Sequence, residues 1–117
     1  VDLNKAIKFD PNYAYALAKR GFVYGKRGEY EKALIDFNKA IESNPNNVYA
    51  LAGRGYVHNE KGEYENALID FNKAIKLDPN YAYALAGRDK VQKELAQASE
   101  GTNTMNARTP SLSGPKR

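Results

Sequence analysis

Apolar residues recur at helical spacing through most of the chain. In 14–26, Leu17, Gly21 and Tyr24 fall at i, i+4 and i+7. In 30–42, Tyr30, Ala33, Leu34, Phe37, Ala40 and Ile41 mark one broad apolar face. Gly28 and Gly62 interrupt the pattern where the chain must turn sharply. Pro45 and Pro79 interrupt it again, because the residue before a proline is biased toward an extended state. The expected unit is two antiparallel helices joined by a short turn, in an all-α fold.

The unit repeats. The segment GEYEKALIDFNKAI, from Gly28, returns from Gly62 as GEYENALIDFNKAI. Arg20, Arg54 and Arg88 share the thirty-four-residue period, as do Ala6, Ala40 and Ala74. Residues 14–47 and 48–81 are identical at 22 positions, so they are copies of one unit. A repeat domain over 1–98 is expected, with 14–47 and 48–81 as its complete units. Residues 1–11 align with 35–45 and read as the second helix of a truncated unit, continuing an array that begins before Val1. Residues 82–98 read as one terminal capping helix, with Leu85, Val91 and Leu95 on its apolar side. Asp89 stands there in place of Gly21 and Gly55. Residues 99–117 are rich in Ser, Thr, Asn, Gly and Pro and read as a disordered tail.

Small residues and charges have structural uses in such a stack. Gly21 and Gly55 lie mid-helix, which close approach of the second helix would offset, with Ala33, Ala40, Ala67 and Ala74 opposite. Phe37 and Phe71 would fill the wider spaces between helix pairs. Arginines near the core side need partners. The periodic aspartates suggest an ion-pair ladder between units: Asp2 with Arg20, Asp36 with Arg54, and Asp70 with Arg88. The alternative is pairing within a unit, as Arg20 with Asp36.

Composition removes several function classes. There is no cysteine, and one Met and one His leave little for a metal site. His58 reads as a packed, hydrogen-bonded residue. Glu29, Glu31, Glu63 and Glu65 sit where acidic groups favour a helix start, and nothing gives them the distinct environments that catalytic carboxylates need. No phosphate-binding glycine loop is present. We therefore expect no catalytic residues, metal or cofactor. The net charge is +4, but 1–98 mixes both signs without a basic stripe, which argues against nucleic acid. No apolar run approaches the roughly 18 residues of a membrane span. No signal peptide is visible after Val1, which leaves the compartment unknown, with the cytoplasm as the default.

The repeat resembles the tetratricopeptide repeat family. The first unit matches its signature at Leu17, Gly21, Tyr24, Ala33, Phe37 and Pro45, the second at Leu51, Gly55, Ala67, Phe71 and Pro79. Leu17 and Leu51 replace the usual Trp, Arg20 and Arg54 the usual Leu, and His58 the usual Tyr. The resemblance implies a right-handed superhelix whose first helices line a concave groove for a partner's peptide or helix, and a scaffold or adaptor role. On that groove we place Tyr15, Ala18, Lys19, Phe22 and Lys26 from the first unit. Tyr49, Ala52, Tyr56, Asn59 and Glu60 follow from the second, and Tyr83, Ala86, Lys90 and Glu94 from the terminal helix. Aromatic rings flanking small residues would let a partner lie close. Family members that grip a chaperone's terminal carboxylate use a Lys/Asn/Lys/Arg set. Its places here are held mostly by Ala18, Phe22, Gly53, Tyr83 and Gly87, so that clamp is absent. The alternative function is self-association, as a homo-oligomer or a fragment of a longer array stacking through uncovered terminal helices.

Overall fold

The computed structural model of the chain describes residues 13–108, with side chains to Ser99. The expected leading helix over 1–11, with Asp2, and residues 109–117 lie outside the described residues. Five helices follow one another: α1 (Ala14–Lys26), α2 (Tyr30–Ser43), α3 (Val48–Glu60), α4 (Tyr64–Leu77) and α5 (Ala82–Arg108). No strand occurs among the described residues, and the fold is all-α helical repeat.

The turns follow from local chemistry. Gly28 and Gly62 adopt φ of 81° and 80°, a left-handed conformation open to glycine. They let the Glu29 and Glu63 amides donate back to the Tyr24 and His58 carbonyls at 2.9 and 2.8 Å, closing α1 and α3. Between units, Asn44 and Asp78 accept from the amides of Asn46 and Asn80, each at 3.2 Å. These side-chain turns bracket Pro45 and Pro79 and reverse the chain. Asn47 then caps α3 by accepting from the Ala50 amide at 3.1 Å.

The packing sets inside and outside. α1 packs on α2, α3 on α4, and α2 and α4 each pack on the first helix that follows. The first helices also touch, α1 with α3 and α3 with α5, whereas α2 and α4 do not meet. Helices α1, α3 and α5 therefore line the inner side of a curved stack.

The core repeats around two phenylalanines. Phe37 is wholly buried and Phe71 nearly so. A Cβ at Gly21 would stand 3.0 Å from the Phe37 ring, and one at Gly53 would collide with it. Phe71 meets Gly55 and Gly87 in the same way. At each of these glycines the nearest neighbour of an added Cβ is the phenylalanine ring, so the glycines make room for a ring. Each ring wedges between the first helix of its own unit and that of the next. Lys19 stands where Gly53 and Gly87 stand, and Leu3 is the sequence equivalent of Phe37 and Phe71.

The terminal helix departs from expectation in two ways. It runs past Ala98 to Arg108, so part of the supposed tail is helical. No proline follows Ala82 until Pro110, and the backbone hydrogen-bond ladder is free to continue to that point. Leu85 is 37% exposed, although its equivalents Leu17 and Leu51 are buried. Among the described residues no second helix of a third unit packs on it.

Gly53→Ala should lower stability by about 1–3 kcal/mol, measured by urea unfolding. Phe37→Leu in the same chain should recover part of that loss, because the smaller side chain vacates the space the new methyl needs. Additive losses would show that the ring and the glycine are not in contact.

Candidate functional site

The arginines pair within units. Arg20 Nε and Nη2 donate to Asp36 Oδ2 and Oδ1 at 2.7 and 2.8 Å. Arg54 grips Asp70 in the same two-pronged way, both bonds at 2.8 Å. The proposed pairs Asp36 with Arg54 and Asp70 with Arg88 do not form. A residue sixteen positions on faces the arginine across its own helix pair, closer than the aspartate of the preceding unit. The link between units is made by asparagine instead. Arg54 Nη1 donates to Asn38 Oδ1 at 2.8 Å, and Arg88 Nη1 to Asn72 Oδ1 at 3.1 Å. Arg88 has no aspartate at its own sixteenth position, where the sequence reads Thr104. Hydrogen bonds to Asp36 and Asp70 raise Arg20 and Arg54 above the ordinary arginine value, against the effect of burial. Both arginines are charged and paired at any ordinary pH.

His58 is packed into this framework. Its Nδ1 lies 2.7 Å from Glu63 Oε1, and its Nε2 is 3.8 Å from Asp70 Oδ2. The His58 bond and nearby Lys61 hold the Glu63 carboxyl below its ordinary range. Lys61 also donates to Glu31 of the preceding unit at 2.7 Å, and that bond raises its pKa. The sequence reading missed the Lys61–Glu31 link and both asparagine links, because each depends on how units stack.

The inner face gathers the aromatic candidates. Phe22 of α1 is the hub, with ring centroids 5.6 Å from Tyr49, 6.4 Å from Tyr56 and 5.9 Å from Tyr83. A side chain of α1 thus reaches one of α5 across the width of α3. Ala52, between Tyr49 and Tyr56 in sequence, keeps no exposed surface, and neither does Ala18. Those alanines are therefore not an open floor for a partner. Tyr15 is the outlier at 55% exposed, leaning toward Tyr13 at 6.2 Å.

Lysines border the rings. Lys19 Nζ lies 5.6 Å from the ring centroids of both Tyr15 and Tyr49. Lys26 Nζ lies 5.2 Å from Phe22 and 5.0 Å from Tyr56. Such cation–ring contacts favour these positions without neutralising the charge. Neither lysine has a carboxylate within ion-pair distance among the described residues, whereas Lys90 lies 3.8 Å from Glu60. Beyond the rings the face opens into a cavity of about 180 Å³ between α3 and α5. Tyr56, Asn59, Tyr83, Ala86, Gly87 and Lys90 line it over Phe71. Burial drives the Tyr83 phenol well above the ordinary tyrosine value, helped by Tyr56 and other neighbours. No grouping of side chains that could hold a metal occurs among the described residues.

A curved stack of helix pairs with an aromatic inner face defines an α-helical repeat protein of the superhelical class. The chain belongs to the tetratricopeptide repeat family, whose profile matches residues 14–47 and 48–81. Among solved structures it is similar to the Arabidopsis OM64 TPR domain, with a TM-score of 0.73 and 26% identity over 78% of this chain and 75% of that one. It is also similar to the second TPR domain of human RPAP3 in complex with an HSP70 peptide, SGPTIEEVD. There the TM-score is 0.71 and the identity 28%, over 77% of this chain and 75% of that one. YrrB, a TPR protein with an unusual peptide-binding site, gives a TM-score of 0.69 and 26% identity over 74% of this chain and 45% of its own. A search of curated proteins finds no match.

Truncating the arginines should hurt more than truncating the aspartates. Asp36 is 1% exposed, while the Arg20 side chain keeps 27% of its surface in water. Arg20→Leu strands a buried carboxylate and should cost about 3 kcal/mol. Asp36→Ala leaves a partly solvated guanidinium and should cost about 1–2 kcal/mol. Urea unfolding of both variants checks the order.

A group whose folded pKa is depressed stabilises above its unfolded pKa, and that stability is lost as pH falls through the folded value. Glu63→Gln should therefore lower Tm at neutral pH. The difference should vanish in acid below the ordinary glutamate range near about 4.3. A pH-independent difference would refute this account of Glu63.

Proposed function

We propose that the chain is a protein-interaction scaffold that holds an extended peptide of a partner along its concave aromatic face. Its role is binding, with no chemistry of its own. The observation that carries this reading is the ring cluster of Phe22, Tyr49, Tyr56 and Tyr83. It presents a preorganised surface across three helices, bordered by Lys19 and Lys26. Rigid aromatic surface gives contact area at little ordering cost to the scaffold, so the partner bears most of that cost.

The similar structures support a peptide as the partner. The RPAP3 domain holds an acidic chaperone peptide, and YrrB has a peptide-binding site of its own kind. The manner of grip is specific to this chain. Ala18 and Gly53 are buried, and Phe22, Tyr83 and Gly87 carry no charge, so a cationic clamp for a terminal carboxylate is not part of this proposal. Lys19 and Lys26 instead give acidic side chains a place beside α1.

The test is selection from a random peptide library displayed on phage, followed by affinity measurement against a Lys19→Glu/Lys26→Glu variant. Circular dichroism would first show that variant to be folded. Selected peptides should bind the variant about tenfold more weakly or worse, a difference near 1.4 kcal/mol. They should also perturb the amide NMR signals of α1, α3 and α5. Equal binding to both proteins, or perturbations confined to α2 and α4, would overturn the reading.

A further inference from the structure

The contacts between helices repeat along the stack, and its two ends break the repetition in matching places. Leu17 and Leu51 are buried in clusters with the alanines of their own second helices, Ala33 and Ala40 or Ala67 and Ala74. Their equivalent in α5, Leu85, is 37% exposed. At the other end the pattern fails at a valine. Val57 and Val91 are fully buried, whereas their equivalent in α1, Val23, is 46% exposed. A Cβ at Gly25 would stand 3.2 Å from Val57, so this valine lies against the first helix of the preceding unit. Among the described residues, Leu85 therefore lacks the second helix that completes a unit, and Val23 lacks the first helix that precedes one.

The charges at the two ends are complementary in the same register. Arg20 and Arg54 each grip an aspartate sixteen positions on. At that spacing Arg88 has Thr104, while Asp2 is the periodic aspartate that none of the three arginines claims. Asp2 and Thr104 occupy equivalent places in the thirty-four-residue repeat. Residues 1–11 of a second copy, laid where the second helix of a third unit belongs, would bring Asp2 to Arg88.

The wedge position agrees. Within the chain one phenylalanine touches a glycine of its own unit and a glycine of the next. Across a junction of two copies the equivalent residues are Leu3 for the ring, Asp89 for the first glycine and Lys19 for the second. All three depart together. A side chain smaller than phenylalanine does not require two glycines beside it, and the residues that replace them carry opposite charges. Lys19 has no carboxylate within ion-pair distance among the described residues. On the inner face Phe22 of one unit meets Tyr49 of the next, with ring centroids 5.6 Å apart. The equivalent pair across the junction is Lys90 with Tyr15, both exposed, a cation and a ring.

We propose that this face of α5 docks residues 1–11 of a second copy of the chain. The two form one composite repeat, and successive copies continue a single superhelix head to tail. Docking buries Leu85 and Val23, gives Arg88 a carboxylate in Asp2, and sets Asp89 beside Lys19. A partner helix of another kind would match the apolar positions without matching Arg88, Asp89 and Lys90 together. The interface is heterologous: α5 of each copy meets one neighbour, and the 1–11 segment with α1 meets the other. Assembly is therefore open-ended. It uses the ends of the stack and does not rest on the peptide-binding reading.

Sedimentation of the 117-residue chain over a concentration series tests the proposal. The weight-average mass should climb past that of a dimer without a plateau, and less steeply at high salt, because the junction holds exposed charges. Methyl NMR signals of Leu85 and Val23 should shift with concentration, while those of Leu51 and Val57 stay in place. Arg88→Glu and Asp2→Arg should each leave the chain monomeric, with circular dichroism showing both folded. An equal mixture of the two should assemble again, because the reversed charges then face each other. An unfolded variant could not recover in this way. Asp89→Lys and Lys19→Asp form a second pair with the same expected behaviour. A monomeric mass up to about 1 mM would overturn the proposal, as would a plateau at the dimer. So would single variants that assemble like the unaltered chain, or mixtures no more associated than their components.

Discussion

The wedge of Phe37 and Phe71 between pairs of glycines is the constraint on which the rest of the structure depends. Each ring enters a space that exists only because two first helices lack a Cβ at the contact. Gly21 and Gly53 receive Phe37, and Gly55 and Gly87 receive Phe71. Glycine within a helix costs roughly 0.5–1 kcal/mol against alanine. Burial of an aromatic side chain offsets that cost at about 1.5–3 kcal/mol per ring. The gain depends on close fit, since interiors are packed like crystals and tolerate neither gaps nor extra methyls. One ring touching both its own unit and the next fixes the spacing and angle of successive first helices. The curvature of the inner face follows from that contact.

Polar contacts then lock the orientation of units that the rings hold together. Asp36 and Asp70 are buried, and each accepts a two-pronged grip from the arginine of its own helix pair. Arg54 spends a remaining donor on Asn38 of the unit before, so one guanidinium joins a carboxylate and a neighbouring repeat. A planar group with donors on several edges can do this where a lysine could not. Among the described residues Arg88 pairs with the neighbour's asparagine alone, and the sequence has Thr104 where a third unit would have placed an aspartate. The same interruption leaves Leu85 partly exposed, although its equivalents are covered.

These constraints make the inner face a fixed surface. The rings of Phe22, Tyr49, Tyr56 and Tyr83 come from three helices, and they meet only because the first helices lie on the inside of the curve. Their mutual contacts close the middle of the groove and leave the open volume at the α3–α5 end. The inner face is therefore a wall of rings and lysines with a recess at that end, and not a uniform furrow.

The sequence by itself determined the helices, their turns and their repetition. Those are local matters, set by apolar spacing, by glycines that alone tolerate φ near 80°, and by prolines that end a helical run. A motif written twice also made its family resemblance legible. It pointed to Phe22, Tyr49, Tyr56 and Tyr83 as one face, because residues seven apart on a helix lie on the same side. It named the charged residues, preferred pairs between units and kept the pairing within a unit that forms as the alternative, because a shared period of thirty-four cannot distinguish a partner within the unit from one in the unit before. Only tertiary structure decided that Arg20 meets Asp36, that Ala18 and Ala52 are buried, and that Gly53 and Gly87 serve a phenylalanine. Each of these depends on the angle between successive helix pairs. That angle is set by side chains distant in sequence filling one space, and no periodicity along a single chain encodes it.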